Sequence, residues 1–208
     1  MLDDNVMGCS QWRKILEELR ETGRAFKFKQ GMDERILTDE KCKLLFSSSY
    51  DGDYTFAFDN ISDYDLIHKK LELIRKYASK KASIKFYVLV GFESTDARDI
   101  ENAFKRIELL MRYQCLPYIM RYQNKNYTPW KESEYRDMYI AIARWANQPS
   151  MFKKKSFRQF CESNQAITKT DRLCATMRAM VNFEERYKDI ADQYFDLRFE
   201  DYDLNFME

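Results

Sequence analysis

One histidine, five glycines and three prolines among 208 residues leave little material for several common functional sites. The lone His68 cannot supply a histidine metal centre, and it sits among Lys69 and Lys70 on an expected helix face as a surface residue. So few Gly and Pro exclude collagen-like repeats and low-complexity linkers. The patterns G-x-x-x-x-G-K-[ST], G-x-S-x-G and G-x-G-x-x-G are absent, which removes P-loop, hydrolase-elbow and dinucleotide-binding readings. The five cysteines, Cys9, Cys42, Cys115, Cys161 and Cys174, are odd in number, widely spaced and never in a C-x-x-C pair. They read as small buried hydrophobes, with no disulfide framework and no metal ligands expected. No apolar run approaches the roughly 20 residues that cross a bilayer. The opening MLDDNVMGCS has neither the basic start nor the apolar stretch of a signal peptide. The expectation is a cytoplasmic chain with no membrane partner. Lys+Arg 35 against Asp+Glu 34 leave a net charge of +1, so no global field draws the chain to nucleic acid.

What is present is enough apolar material for a core, 45% of residues, with an aromatic share of 15%. The organising stretch is Ser83 to Tyr122. Ile84 to Val90 is a β-branched and aromatic run too short for a helix, and Gly91 ends it. Asp96 and Asp99 lie where a helix start favours negative charge. Ile100, Phe104, Ile107, Leu110 and Met111 then share one helical face, and Leu116 to Met120 resumes as a strand. This is a βαβ unit with parallel strands.

Around it the pattern repeats. Ser10 is placed to cap a helix carrying Trp12, Ile15, Leu16 and Leu19. AFKFK (25–29) alternates as a strand, Thr38 opens a helix through Phe46, and YTFAF (54–58) is the next strand. Ser62 and Asp65 form a capping-box pattern before a helix to about Ser79. Met1 and Leu2 read as a strand remnant. After Tyr122 come a polar loop and three expected helices, Glu132 to Asn147, Met151 to Glu162 and Thr170 to about Phe195, then a frayed acidic tail. The expected fold class is α/β with a mainly parallel sheet over residues 1–122, followed by a helical extension over 123–208.

Ligands of parallel sheets sit at the carboxyl ends of strands. Those ends are Gln30-Gly31, Asp59-Asn60, Gly91-Phe92-Glu93 and Arg121-Tyr122, although each is also ordinary turn chemistry. A second candidate is a basic and aromatic patch of Lys125, Trp130, Lys153, Lys154, Lys155 and Arg158. It would hold RNA by neutralising phosphates and stacking bases, or else be a solvated face.

LVGFESTDARDIENAFKRIELLMRY (89–113) resembles the late strand–turn–helix of radical S-adenosylmethionine enzymes. LDDN, FKQGMDERILTDEK, YTFAFDN and LPYIMRY resemble later strands of the same partial (β/α) barrel, over most of residues 1–162 and closest to a phage-associated branch. The resemblance implies a truncated barrel with Gly91 and Glu93 lining an adenosyl pocket and Gln30, Asp59 and Arg121 near it. The family's C-x-x-x-C-x-x-C motif is absent, so no iron–sulfur cluster is expected, while S-adenosylmethionine binding is implied only by resemblance. The expected function is a non-catalytic binding or regulatory protein. Its target would be a protein or an RNA–protein complex, for example a host defence nuclease inhibited in the manner of an anti-CRISPR protein. The alternatives are the C-terminal part of a radical enzyme whose cluster loop lies upstream, and a single-stranded RNA or DNA binder using 121–158. An exposed sheet edge, at Met1–Asp3 or at whichever strand ends the sheet, would favour homo-oligomers.

Overall fold

The computed structural model describes residues 5–168 and 171–204. The chain divides into two compact units, Met1–Tyr87 with Leu204–Glu208, and Val88–Asp203. The division falls inside the strand the sequence placed at the centre, whereas the sequence reading put it at 122. The fold is α/β, around a three-stranded parallel sheet in the order β1-β2-β3. Met1 and Leu2, read as a strand remnant, lie outside the described residues.

The first unit begins with a 3₁₀ turn, Val6–Gly8, and helix α1, Trp12–Glu21. Gln11, not Ser10, takes the N-cap position, and no side chain caps the helix. Helix α2, Asp39–Phe46, starts as expected, with the Thr38 hydroxyl accepting the Lys41 N–H at 3.3 Å. Strand β1 is Tyr54–Ala57, helix α3 is Tyr64–Tyr77, and strand β2 is Ile84–Val90. β1 pairs in parallel with β2, Tyr54 opposite Ile84 and Phe56 opposite Phe86. AFKFK is not a strand: Phe26 alone bridges Tyr50. The Phe28 N–H goes to the Tyr50 hydroxyl at 3.1 Å, and Phe26, Phe28, Tyr50 and Tyr54 pack as a ring cluster. Side-chain burial wins over the ladder there. The Ser62–Asp65 box does not form either. Asn60 accepts the Ser62 N–H at 2.8 Å and turns the chain through a 3₁₀ turn, Ile61–Asp63, before α3.

The second unit holds the end of β2, helix α4, Ala97–Arg112, and strand β3, Leu116–Arg121. Asp96 caps α4, accepting the Asp99 N–H at 3.1 Å, and the five apolar positions on its face are all buried. The first expected helix, Glu132 to Asn147, forms as α6, Arg136–Ala146, after a short α5, Pro129–Glu132; the other two are broken. Met151 to Glu162 is α7, Pro149–Phe152, then α8, Phe157–Ala166, whose Ser156–Gln159 capping box is complete. The last is α9, Ala175–Arg186, and α10, Lys188–Tyr194, broken at Tyr187; its expected start, Thr170, lies outside the described residues. The helices enclose an aromatic core in which Phe104 meets Trp145, Phe157, Tyr194 and Phe195. The tail is not frayed as far as Asp203. Phe199 is buried, and the Gln114 amide donates to the Phe199 and Tyr202 carbonyls at 3.2 and 2.7 Å.

β2 buries Ile84, Phe86, Val88 and Val90 and leaves Lys85, Tyr87 and Leu89 half-exposed, so one face of the sheet is covered more fully than the other. That differs from the two-sided burial usual in parallel sheets. The edges are closed by side chains and by one backbone N–H. Tyr54 and Phe58 donate towards β2, so Thr55 and Ala57 face outward. The Thr55 carbonyl accepts Met32 N–H at 2.8 Å, and the Ala57 N–H donates to Glu34 Oε2 at 3.2 Å. On β3 the Ile119 N–H donates to Asn147 Oδ1 at 2.6 Å, and Asn147 Nδ2 donates back to the Ile119 carbonyl at 3.0 Å. Pro117 has no N–H to offer. A second chain pairing on either edge at these positions would have to displace Glu34 or Asn147.

Candidate functional site

The turn after β2 is built around a glycine. Gly91 has φ +67°, and a Cβ there would lie 2.7 Å from Trp130 Cβ. Its N–H donates to Asp99 Oδ2 at 2.8 Å, which also accepts the Tyr139 hydroxyl at 2.7 Å. Burial pushes the Asp99 carboxyl up from its ordinary value. Trp130 is buried, and its indole N–H donates to the Tyr122 carbonyl at 2.8 Å. The Arg121 guanidinium lies 4.5 Å over the Trp130 ring and Lys131 Nζ 5.8 Å from it. Gly91, Arg121 and Trp130, which the sequence assigned to two different sites, therefore form one cluster.

This arrangement does not fit S-adenosylmethionine at Gly91. The space that glycine leaves is filled by Trp130, so close packing of protein accounts for it. Glu93 and Arg121 are exposed. Gln30 and Asp59, also exposed, belong to the first unit.

Beside the cluster lies an exposed aromatic surface. Phe92 and Tyr122 pack at 4.7 Å between ring centroids. Phe92, Tyr118, Met120 and Tyr127 are four of the seven exposed large hydrophobic residues described, a concentration that marks this surface out. Tyr127, 55% exposed, is held by an Asx turn: Asn124 Oδ1 accepts the N–H groups of Asn126 and Tyr127 at 2.7 and 3.3 Å. The segment 121–131, RYQNKNYTPWK, carries Arg121, Lys125 and Lys131 and no carboxylate. Glu93 and Glu132 flank it. Sequence reasoning named Phe92, Arg121 and Tyr122 as strand-end residues and Lys125 and Trp130 in the basic patch, but assigned them to two separate sites and missed Tyr118 and Met120. The signal was the lack of acid between aromatic residues over 121–131.

The basic patch separates into two. Trp130 precedes the start of α6, while Lys153, Lys154 and Lys155 follow its end, and the 11 residues of α6 span about 16 Å. Lys155 Nζ donates to Ser163 Oγ at 2.6 Å, and Lys153 lies 6.0 Å over the Phe199 ring. Arg158 is committed to Glu184, through two bonds of 2.8 Å, and to Asp196 at 3.0 Å. Lys125 and Lys154 are exposed.

In the first unit a separate pocket of about 210 Å³ lies at the carboxyl end of β1, lined by Asn5, Gly31, Met32, Asp33, Glu34, Arg35, Ala57, Asp59 and Asp63. Asp59 was expected near a site; Glu34 was not. Glu34 is 3% exposed, and burial pushes its carboxyl up to about 7. All five cysteines are free, with Cys42, Cys115 and Cys161 buried as expected.

Comparison of the chain with protein-family models, with curated proteins and with solved structures returns no match.

Proposed function

We propose that the chain is a non-catalytic binding protein that holds single-stranded RNA, free or within a ribonucleoprotein, on the aromatic and cationic surface at the carboxyl ends of β2 and β3. The observation that carries this reading is the ring pair of exposed Phe92 and half-buried Tyr122 beside the acid-free segment 121–131. Aromatic faces accept any base by stacking, and Arg121, Lys125 and Lys131 meet phosphates. In this reading the open parallel sheet is a truncated (β/α) barrel of the radical S-adenosylmethionine kind, kept as a scaffold. Inhibition of an RNA-guided host nuclease is one role such a surface would serve.

The test is fluorescence anisotropy of a labelled 12-nucleotide single-stranded RNA. Three phosphate contacts give a slope of about −2 in log K against log salt, so affinity should fall about twentyfold between 50 and 200 mM salt. Phe92→Ala with Tyr122→Ala should cost about 1–3 kcal/mol per base unstacked. Lys153, Lys154 and Lys155→Ala together should leave binding unchanged, because they lie at the far end of α6. RNA that fails to bind at 50 mM salt, or binds as well after loss of both rings, would overturn the reading.

A further inference from the structure

We propose that the pocket at the carboxyl end of β1 is a binding site for a small organic cation, an ammonium or guanidinium group, with Glu34 as its buried counter-charge and Asp59 and Asp63 at its walls. This site is independent of the RNA-binding surface.

The case begins with what the lining groups still require. Asp33 and Arg35 satisfy each other through two bonds, Nε to Oδ1 at 2.8 Å and Nη2 to Oδ2 at 2.9 Å. The guanidinium that could have neutralised Glu34 is therefore already taken. Lys70, the cation on α3 that faces this region, donates to the Leu37 carbonyl at 2.7 Å. Glu34 keeps two neutral donors, its own backbone N–H and the Ala57 N–H, the latter at 3.2 Å. Two peptide N–H groups do not offset the loss of water around this buried carboxylate, whose titration stays raised.

The second observation comes from a different element. Asn5 Oδ1, in the wall of the same pocket, is buried and has no hydrogen-bond partner among the described residues. An amide oxygen left this way needs a donor. A buried carboxylate and an orphaned acceptor thus border one space, and both ask for N–H groups. An ammonium offers three donors and a positive charge, and a guanidinium offers five in a plane.

Size and ligand geometry narrow the class. A volume of about 210 Å³ is room for about seven waters at ~30 Å³ each, enough for one head group and a few methylenes. Among the described residues no three carboxylate, cysteine or histidine groups gather as metal ligands, so the dispersed acceptors suit an organic cation better than a metal ion.

The charge on Glu34 couples binding to pH. A carboxyl that titrates at about 7 is roughly one-tenth ionised at pH 6 and nine-tenths at pH 8. A cation that needs the ionised form should therefore bind about tenfold more tightly at pH 8. The other charged groups lining the pocket are Asp33, Arg35, Asp59 and Asp63; the Asp33–Arg35 pair holds the Asp33 carboxyl below its ordinary value and the Arg35 guanidinium above its own.

The experiment is calorimetric titration of the full chain with agmatine, with 1,4-butanediol as the uncharged match, at pH 6 and pH 8. Agmatine binding that tightens about tenfold with pH and releases a proton is expected, while butanediol gives no heat. Glu34→Gln should weaken agmatine at least tenfold at pH 8 and abolish the pH dependence. Asp63→Asn, at the wall and remote from the β1 edge, should weaken it two- to fivefold and provides a check should Glu34→Gln fail to fold. Overturning results are no agmatine binding at pH 8, equal binding of butanediol, pH-independent affinity, or displacement of agmatine by Mg²⁺ at equimolar concentration.

Discussion

Glu34 is the residue whose environment departs furthest from its chemistry. A carboxyl raised in the folded state contributes stability that is complete below its ordinary value of 4.5 and is lost as pH rises through about 7. Between pH 5 and pH 8 the wild-type chain should lose about 2–3 kcal/mol relative to Glu34→Gln, because one pKa unit is worth 1.36 kcal/mol. Urea denaturation of both proteins at the two pH values measures it, and parallel curves would sink the prediction. Gly91 carries the opposite kind of demand, a backbone one. Ala there would put its Cβ 2.7 Å from Trp130 Cβ at φ +67°, so Gly91→Ala should destabilise the protein by about 2–4 kcal/mol in chemical denaturation. The glycine itself was legible as the end of a strand; the ring it makes room for was not, because Trp130 is 39 residues further on.

At the scale of elements the edge strands decide the most. Asn147 acts on β3 as a two-bond substitute for a neighbouring strand, and Ala at that position leaves the Ile119 N–H and carbonyl without it. Asn147→Ala should cost about 2–4 kcal/mol and raise the fraction of dimer in light scattering at high concentration, as the uncovered edge finds another chain. A monomer of unchanged stability would show that water replaces the amide. The helical elements show where local signals suffice. Apolar spacing found α4 with its cap, and Thr38 opened α2 as read. AFKFK alternated like a strand and failed, since alternation also suits a chain segment that buries two rings against Tyr50. The helix-length errors fall where the backbone turns inside apolar patterns that continue across it, at 153–156 between α7 and α8 and at Tyr187 between α9 and α10, while Pro129 and Pro149 open α5 and α7.

For the whole molecule, the amphipathic periods were enough to determine an α/β chain with parallel strands and a helical second half. Those properties follow from short-range spacing, which the sequence displays directly. Cysteine count and spacing suggested five buried thiols, of which Cys42, Cys115 and Cys161 are buried while Cys9 is exposed and Cys174 half-buried. Among the described residues no helix is long and apolar enough to cross a membrane. Tertiary structure alone decided that Trp130 belongs with Gly91 and Arg121, that α6 separates it from Lys153–Lys155, and that Arg158 serves Glu184 and Asp196. It alone placed Glu34 in a pocket and set Asn147 against β3. Each of these depends on residues far apart in the chain meeting at a few ångströms, and on how much water their meeting excludes. Burial and partner choice are properties of that packing, and no local pattern encodes them.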